Sequence, residues 1–180
     1  YLAENDFYFP TWEQVENYID GKQELPEKSV VITVDDGDPS FFELAVPIIQ
    51  KYKIPTTSFV ITYWYGNRAS DKQEYVSYQS HSYDMHKAGS NGKGVMLSWD
   101  YDKIKDDILL SRDVLGGADI FCYPFGQYND LDIKVLKENG YKLAFTTKGG
   151  RVKKGSSKYE LPRVRISGNT GMTEFKKKVE

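Results

Sequence analysis

The sequence predicts an α/β domain built around a parallel sheet or barrel, and three observations carry that expectation. Short β-branched runs alternate with longer segments of helical period along the chain, at the spacing of βαβ units. The first such run, Ser29 to Val34, has almost no polar interruption, as befits a strand covered on both faces. The notable polar residues fall where these runs end, and parallel α/β proteins carry their sites at the carboxyl ends of their strands.

Taken in order, Thr11 opens a helix, with Gln14 completing a capping-box pattern and Gly21 following its end. The strand from Ser29 to Val34 leads into Asp35-Asp36-Gly37. Ser40 to Lys53 is read as a helix whose apolar face is Phe41, Leu44, Ala45, Ile48 and Ile49. Thr56 to Ile61 is a second strand, and Tyr75 to Ser80 a third that ends at His81. Ser98 is placed as the cap of a long helix through Leu115, with Ile104, Ile108, Leu109 and Leu115 buried and Gly116-Gly117 as its stop. Then come a strand from Asp119 to Tyr123, a helix from Asp130 to Asn139, strands from Lys142 to Thr146 and Leu161 to Ile166, and a closing helix from Thr173 to Val179. Gly89 to Gly94 and Gly149 to Ser157 are polar loops, and no internal repeat is present.

A chain of 180 residues holds one domain with a substantial core. It divides into a helical lead-in over residues 1–28 and the main body over 29–180, together one globular unit. With 24 Lys plus Arg against 26 Asp plus Glu, no basic excess exists to hold a polyanion, so nucleic acid is not expected as a partner. Charged residues at 28% and the lack of a long apolar run exclude a membrane span. The single cysteine, Cys122, rules out an internal disulfide framework and lies in an apolar strand, as a packed thiol would. The chain starts at Tyr1 without a signal-like stretch, consistent with trimming or with loss of a leader. The aromatic content, 14 Tyr, 9 Phe and 3 Trp, suits both a packed core and stacking on sugar rings.

The only two histidines both fall within His81-Ser82-Tyr83-Asp84-Met85-His86. Two imidazoles with one carboxylate form a typical catalytic metal set that keeps positions open for water. A helix turns about 100° per residue, so positions five apart diverge by about 140° and cannot grip one ion. The step therefore requires His81 at a strand end and His86 after a turn. Asp35 and Asp36 leave their strand with divergent side chains, one toward a metal and one toward a water. A metal lowers the pKa of its water, and a nearby carboxylate can take the proton as that water attacks a carbonyl. A backbone N–H assists the oxyanion. This is metal-assisted hydrolysis of an amide or ester.

Val31 to Gly37, His81 to His86 and Phe121-Cys122-Tyr123-Pro124-Phe125-Gly126 together resemble successive motifs of the polysaccharide deacetylases, carbohydrate esterase family four. The likeness runs from about Leu25 to Val179 and includes Leu161-Pro162-Arg163. The five-residue histidine step is similar to the branch of poly-N-acetylglucosamine deacetylases; the peptidoglycan branch usually has a step of four. The resemblance implies a distorted (β/α) barrel of about seven parallel strands. It implies a divalent metal, zinc first, with cobalt, nickel or manganese as alternatives. It implies a β-linked N-acetylglucosamine polymer as substrate and work outside the cell, at the surface or wall. Asp35 matches the catalytic base, Asp36, His81 and His86 match the metal ligands, and Phe125 matches the residue whose N–H stabilises the oxyanion. Tyr123 and Trp64, the latter flanked by Tyr63 and Tyr65, are assigned to the sugar groove.

Two departures stand out. Cys122 occupies the place where the family often has an arginine that orients the base. No third histidine exists to act as the usual general acid, so the alternative is a carbohydrate-binding domain that retains the metal but has weak or no catalysis. A phosphatase built on the first strand fits worse, because dehalogenase-type nucleophile motifs place their aspartates two apart. Each motif alone has a plain reading, Asp-Asp-Gly as a turn above all; their order and placement at strand ends outweigh it. Arg163 and Arg165 either pair with an acid near the rim or face water. Lys176 to Lys178 form a solvated helix end.

Overall fold

The computed structural model describes residues 1–90 and 92–180. Its sheet has six strands in sequential order, every recorded pair parallel. They are β1 (Ile32–Val34), β2 (Thr56–Val60), β3 (Val76–Ser80), β4 (Ile120–Cys122), β5 (Leu143–Gly149) and β6 (Leu161–Arg163). The helices are α1 (Trp12–Ile19), α2 (Val46–Tyr52), α3 (Thr62–Ala69), α4 (Tyr101–Val114), α5 (Asp130–Glu138) and α6 (Met172–Val179). This is the expected α/β class, with six strands in place of about seven. Position 91, within the polar loop read over 89–94, lies outside the described residues.

Alternation along β4 separates two cores. Ile120 and Cys122 join Phe59, Leu143, Phe145 and Leu161 on one face, where Val15 and Ile19 of α1 close the end. Phe121 points the other way, into a cluster with Ile104 and Ile108 of α4, Val135 and Leu136 of α5, and Tyr141. The cap of α1 is the expected one: Thr11 accepts from the Gln14 N–H and the Gln14 side chain accepts from the Thr11 N–H. β1 and β6 are the two edges. Arg163 on β6 nevertheless reaches Thr33 on β1, with Nη1 at 3.4 Å from Oγ1, so the sheet curls until its edges face each other.

Three local expectations are corrected. The helix read over 40–53 begins as a π-turn, Phe41–Ala45, because Pro47 has no N–H and its ring excludes an α-turn around the Glu43 carbonyl. The wider turn rotates the following residues. Phe41, Val46 and Ile49 are buried, whereas Leu44 and Ile48 are 69% and 58% exposed. The cap of α4 is Asp100, whose side chain accepts from the Lys103 N–H at 2.9 Å, and Ser98 ends a 3-10 turn instead. Helix α3 had no signal in its aromatic, glycine-containing sequence. Packing overrides propensity there, since a Cβ on Gly66 would lie 2.6 Å from Val114 Cγ1 of α4. No helix among the described residues is long and apolar enough to cross a membrane.

Candidate active site

The strand exits bring the key side chains together. β1 ends at Val34, and Asp36 then takes a left-handed conformation, φ 75°, before Gly37 at φ 78°. The Asp36 carbonyl is anchored by the Ile61 N–H at 3.0 Å, which fixes this turn against the end of β2. His81 follows β3 directly and is 2% exposed, with its N–H donating to the Val60 carbonyl at 3.0 Å. Ser82 then turns left-handed, φ 72°, and its Oγ accepts from the Met85 N–H at 3.1 Å. The fully buried Met85 pins the loop, so His86 swings back beside His81 with ring centroids 4.8 Å apart. Both imidazoles thus meet on a loop, as the five-residue step demands.

Asp36 Oδ1 lies 3.4 Å from His81 Nε2 and 3.7 Å from His86 Nε2. Donors bound tetrahedrally to zinc at about 2.0–2.1 Å stand roughly 3.4 Å apart, so the three residues fit a divalent cation with little adjustment. His81 Nδ1 lies 2.7 Å from the Cys122 carbonyl and donates to it, which leaves the Nε2 lone pair directed at the site. Asp35, His81 and Cys122 form a second close donor group, but Arg163 Nη2 sits between the acid and the thiol, 2.7 Å from Asp35 Oδ2 and 3.3 Å from Cys122 Sγ. A guanidinium there excludes a second cation.

Arg163 grips Asp35 with two parallel bonds of 2.7 Å, and its Nε donates to the Thr146 carbonyl at 3.1 Å. Burial works against the Asp35 anion, yet the Arg163 fork and the charge of His81 outweigh it and hold its carboxyl below the usual range. Asp36 is lowered chiefly by its hydrogen bond to His81. Burial disfavours a charged His81, but Cys122, Asp36 and Asp35 prevail and raise its pKa; His86 is lowered by burial and by the charge of His81. The cluster is therefore a pocket of acids that draws positive charge toward its centre.

The third motif arrives as a turn over Pro124–Gly126 in which Phe125 is left-handed at φ 58°, with its ring 4.3 Å from that of His86. Gly126 is obligatory: a Cβ there would meet Thr147 Oγ1 at 2.1 Å. Trp64, in the first turn of α3, has its ring 6.4 Å from that of His86 and is 49% exposed, while Phe125 is 43% exposed. The two rings border the histidine as an open apolar wall. Tyr123 does not join it. It is 1% exposed, donates its hydroxyl to the Tyr159 carbonyl at 3.0 Å and stacks on Tyr128, so it is core and has no face for a sugar.

Of the two arginines left open by the sequence, Arg163 pairs with the rim acid and Arg165 is exposed. Arg163 stands against Cys122, the residue read in place of a third-motif arginine, and Leu161-Pro162-Arg163 was its only signal. Asp107 of α4, which receives two N–H groups of the histidine loop, had none.

Residues 22–144 match the family model for polysaccharide deacetylase. The chain is 30% identical over 169 residues to the Staphylococcus aureus protein named poly-β-1,6-N-acetyl-D-glucosamine N-deacetylase, covering 83% of this chain and 58% of that protein. It thus spans less than two thirds of that relative's length. Among solved structures, the Streptococcus pyogenes deacetylase PplD in complex with acetate superposes with a TM-score of 0.86 at 24% identity, over 99% of this chain and 82% of that one. IcaB from Ammonifex degensii gives 0.85 at 23% identity, over 99% and 84%. At such identities the superpositions establish the fold.

Proposed function

The chain belongs to the polysaccharide deacetylase family, and from that premise we propose that it removes N-acetyl groups from a β-linked N-acetylglucosamine polymer by metal-assisted hydrolysis. The observation that carries this reading is the convergence of Asp36, His81 and His86 donors beside a separately held Asp35. Asp36, His81 and His86 would hold a divalent cation, zinc first, whose tetrahedral ligand spacing their donors approach. When bound, that ion polarises the acetamido carbonyl and acidifies water. Asp35 takes the proton of the attacking water, and Arg163 keeps its carboxylate ionised and aimed. The Phe125 N–H steadies the developing oxyanion. Trp64 and the Phe125 ring offer stacking surface to the sugar. The relative's name supports poly-β-1,6-N-acetylglucosamine as the polymer, and a substrate of that kind favours work outside the cell.

The presence of only two histidines supports a second reading, a domain that keeps the metal and binds the polymer without efficient turnover. Acetate release from N-acetylglucosamine oligomers by the zinc- or cobalt-loaded chain, beside Asp35→Asn, decides between them. Release that vanishes in the variant supports the hydrolase. Retained oligomers and bound metal without release support the binding domain. Metal affinity should collapse in His81→Ala and His86→Ala, and unchanged affinity in both would refute the ligand set.

A further inference from the structure

We propose that Asp107 is a positioning residue that sets the distance between His81 and His86. It lies on α4, away from the strand exits, and is 6% exposed. One carboxylate oxygen accepts from the Tyr83 N–H at 2.7 Å and the other from the Asp84 N–H at 2.8 Å. These are the two central N–H groups of the loop that joins the histidines. They follow the left-handed Ser82, and successive N–H groups in such a turn form a concavity that takes an anion. Here the protein supplies the anion itself.

The neighbouring contacts show what the carboxylate adds. The start of the loop is tied to β2, β3 and α3 through His81 and Ser82: the Thr62 N–H donates to the Ser82 carbonyl at 3.1 Å, and Ser80 Oγ accepts from the Ser82 N–H at 3.2 Å. Met85, next to His86, is buried in the core that contains Ile104 and Ile108 of α4. Between those anchors, the Tyr63 N–H of α3 donates to the Tyr83 carbonyl at 3.0 Å, and the two bonds to Asp107 tie the loop's centre to α4. Moving that carboxylate lets the arc from Ser82 to Met85 relax, and His86 moves relative to His81. Asn at this place keeps the shape but faces one N–H with an NH2 group, so a single loop N–H loses its acceptor.

The inference rests on the metal-site reading above, and its test separates the two. Zinc affinity is measured by competition with a chromophoric chelator, and the cobalt-loaded visible spectrum is recorded, for the native chain, Asp107→Asn, Asp107→Glu and His81→Ala. Ile108→Val serves as a core variant on the same helix. Removing a group that orients metal ligands typically weakens affinity about 10–100-fold. Asp107→Asn should show a loss in that range and a shifted cobalt spectrum while unfolding cooperatively, and Asp107→Glu should recover part of the affinity. Ile108→Val should lose stability with affinity unchanged. Native affinity and spectrum in Asp107→Asn, with His81→Ala disabled, would overturn the role of Asp107 alone. Equal affinity losses in Ile108→Val and Asp107→Asn would reduce it to general stability and overturn it too. A native chain that takes up neither ion would overturn the metal-site reading instead.

Discussion

Replacing Arg163 with Met should cost the metal-free chain about 3 kcal/mol of stability, most of it through Asp35. The figure follows from the pair's geometry. Each hydrogen bond to a charged partner contributes about 1.5–3 kcal/mol net when desolvated, and there are two, both at 2.7 Å. The Arg and Asp side chains are 19% and 31% exposed, so solvent screens part of that sum. The apolar variant also leaves Asp35 half-buried without its hydrogen-bonded partner, the situation in which broken pairs cost most. For a domain of this size, about 3 kcal/mol lowers the midpoint of thermal unfolding by roughly 10 °C. The assay is a double-mutant cycle of Arg163→Met and Asp35→Asn by urea unfolding with chelator present, where we expect a coupling of about 2 kcal/mol. The pH dependence should weaken as well. In the native chain Asp35 has a depressed pKa, so its contribution is full above 3.8 and disappears as pH falls through the native value. Without Arg163 burial is opposed by the remaining groups around Asp35, His81 first among them, so the native pKa rises and this pH-dependent contribution shrinks. A coupling below about 0.5 kcal/mol, as for an exposed pair, would refute the view that this bridge holds the sheet edges together.

Two further predictions test the frame around the site. Gly126→Ala should lose more than about 2 kcal/mol, since it combines a left-handed backbone at φ 69° with a Cβ 2.1 Å from Thr147 Oγ1 and 2.7 Å from the Thr147 backbone nitrogen. Thr147→Ser should not rescue it, because the backbone clash persists; recovery of the native melting temperature in the double variant would count against this account. Asp132 is fully buried with Oδ1 lacking a partner among the described residues, and desolvation raises its carboxyl to about 6. The native state therefore binds this proton more tightly than the unfolded chain, and the associated stability is lost as pH rises from 3.8 through 6. Between pH 4.5 and 7.5 the native chain should lose about 2 kcal/mol relative to Asp132→Asn, read by urea unfolding at both values; parallel pH curves for the two proteins would refute the assignment.

Much of this molecule was legible because its signals are local. β-branched runs bounded by polar exits mark β1, β2 and β4, and Thr11 with Gln14 marks the start of α1. The meeting of the two histidines was legible because a five-residue step excludes a helix and forces a loop. What stayed hidden is long-range. The fork from Arg163 to Asp35 joins strands at opposite edges of the sheet, and no periodicity encodes which arginine turns inward. Asp107 reads in sequence as one more polar residue on an amphipathic helix, and its buried role depends on where the histidine loop docks. The face of α2 failed for a different reason: a single proline inserted a π-turn, and one added residue per turn redirects every later side chain. Tyr123 lies beside a functional turn in sequence, yet β-alternation sends its ring into the core.

The bridge between Asp35 and Arg163 also imposes an order on biogenesis. Asp36, His81 and His86, the proposed metal ligands, all precede Arg163 in the sequence, so synthesis delivers them before the arginine. Arg163 emerges much later, with the last strand. In a nascent or clipped chain ending before β6, Asp35, the proposed base, lacks the Arg163 fork. Under the proposed chemistry, competence appears only when the final edge of the sheet docks against the first, so hydrolytic activity is reserved for the finished fold.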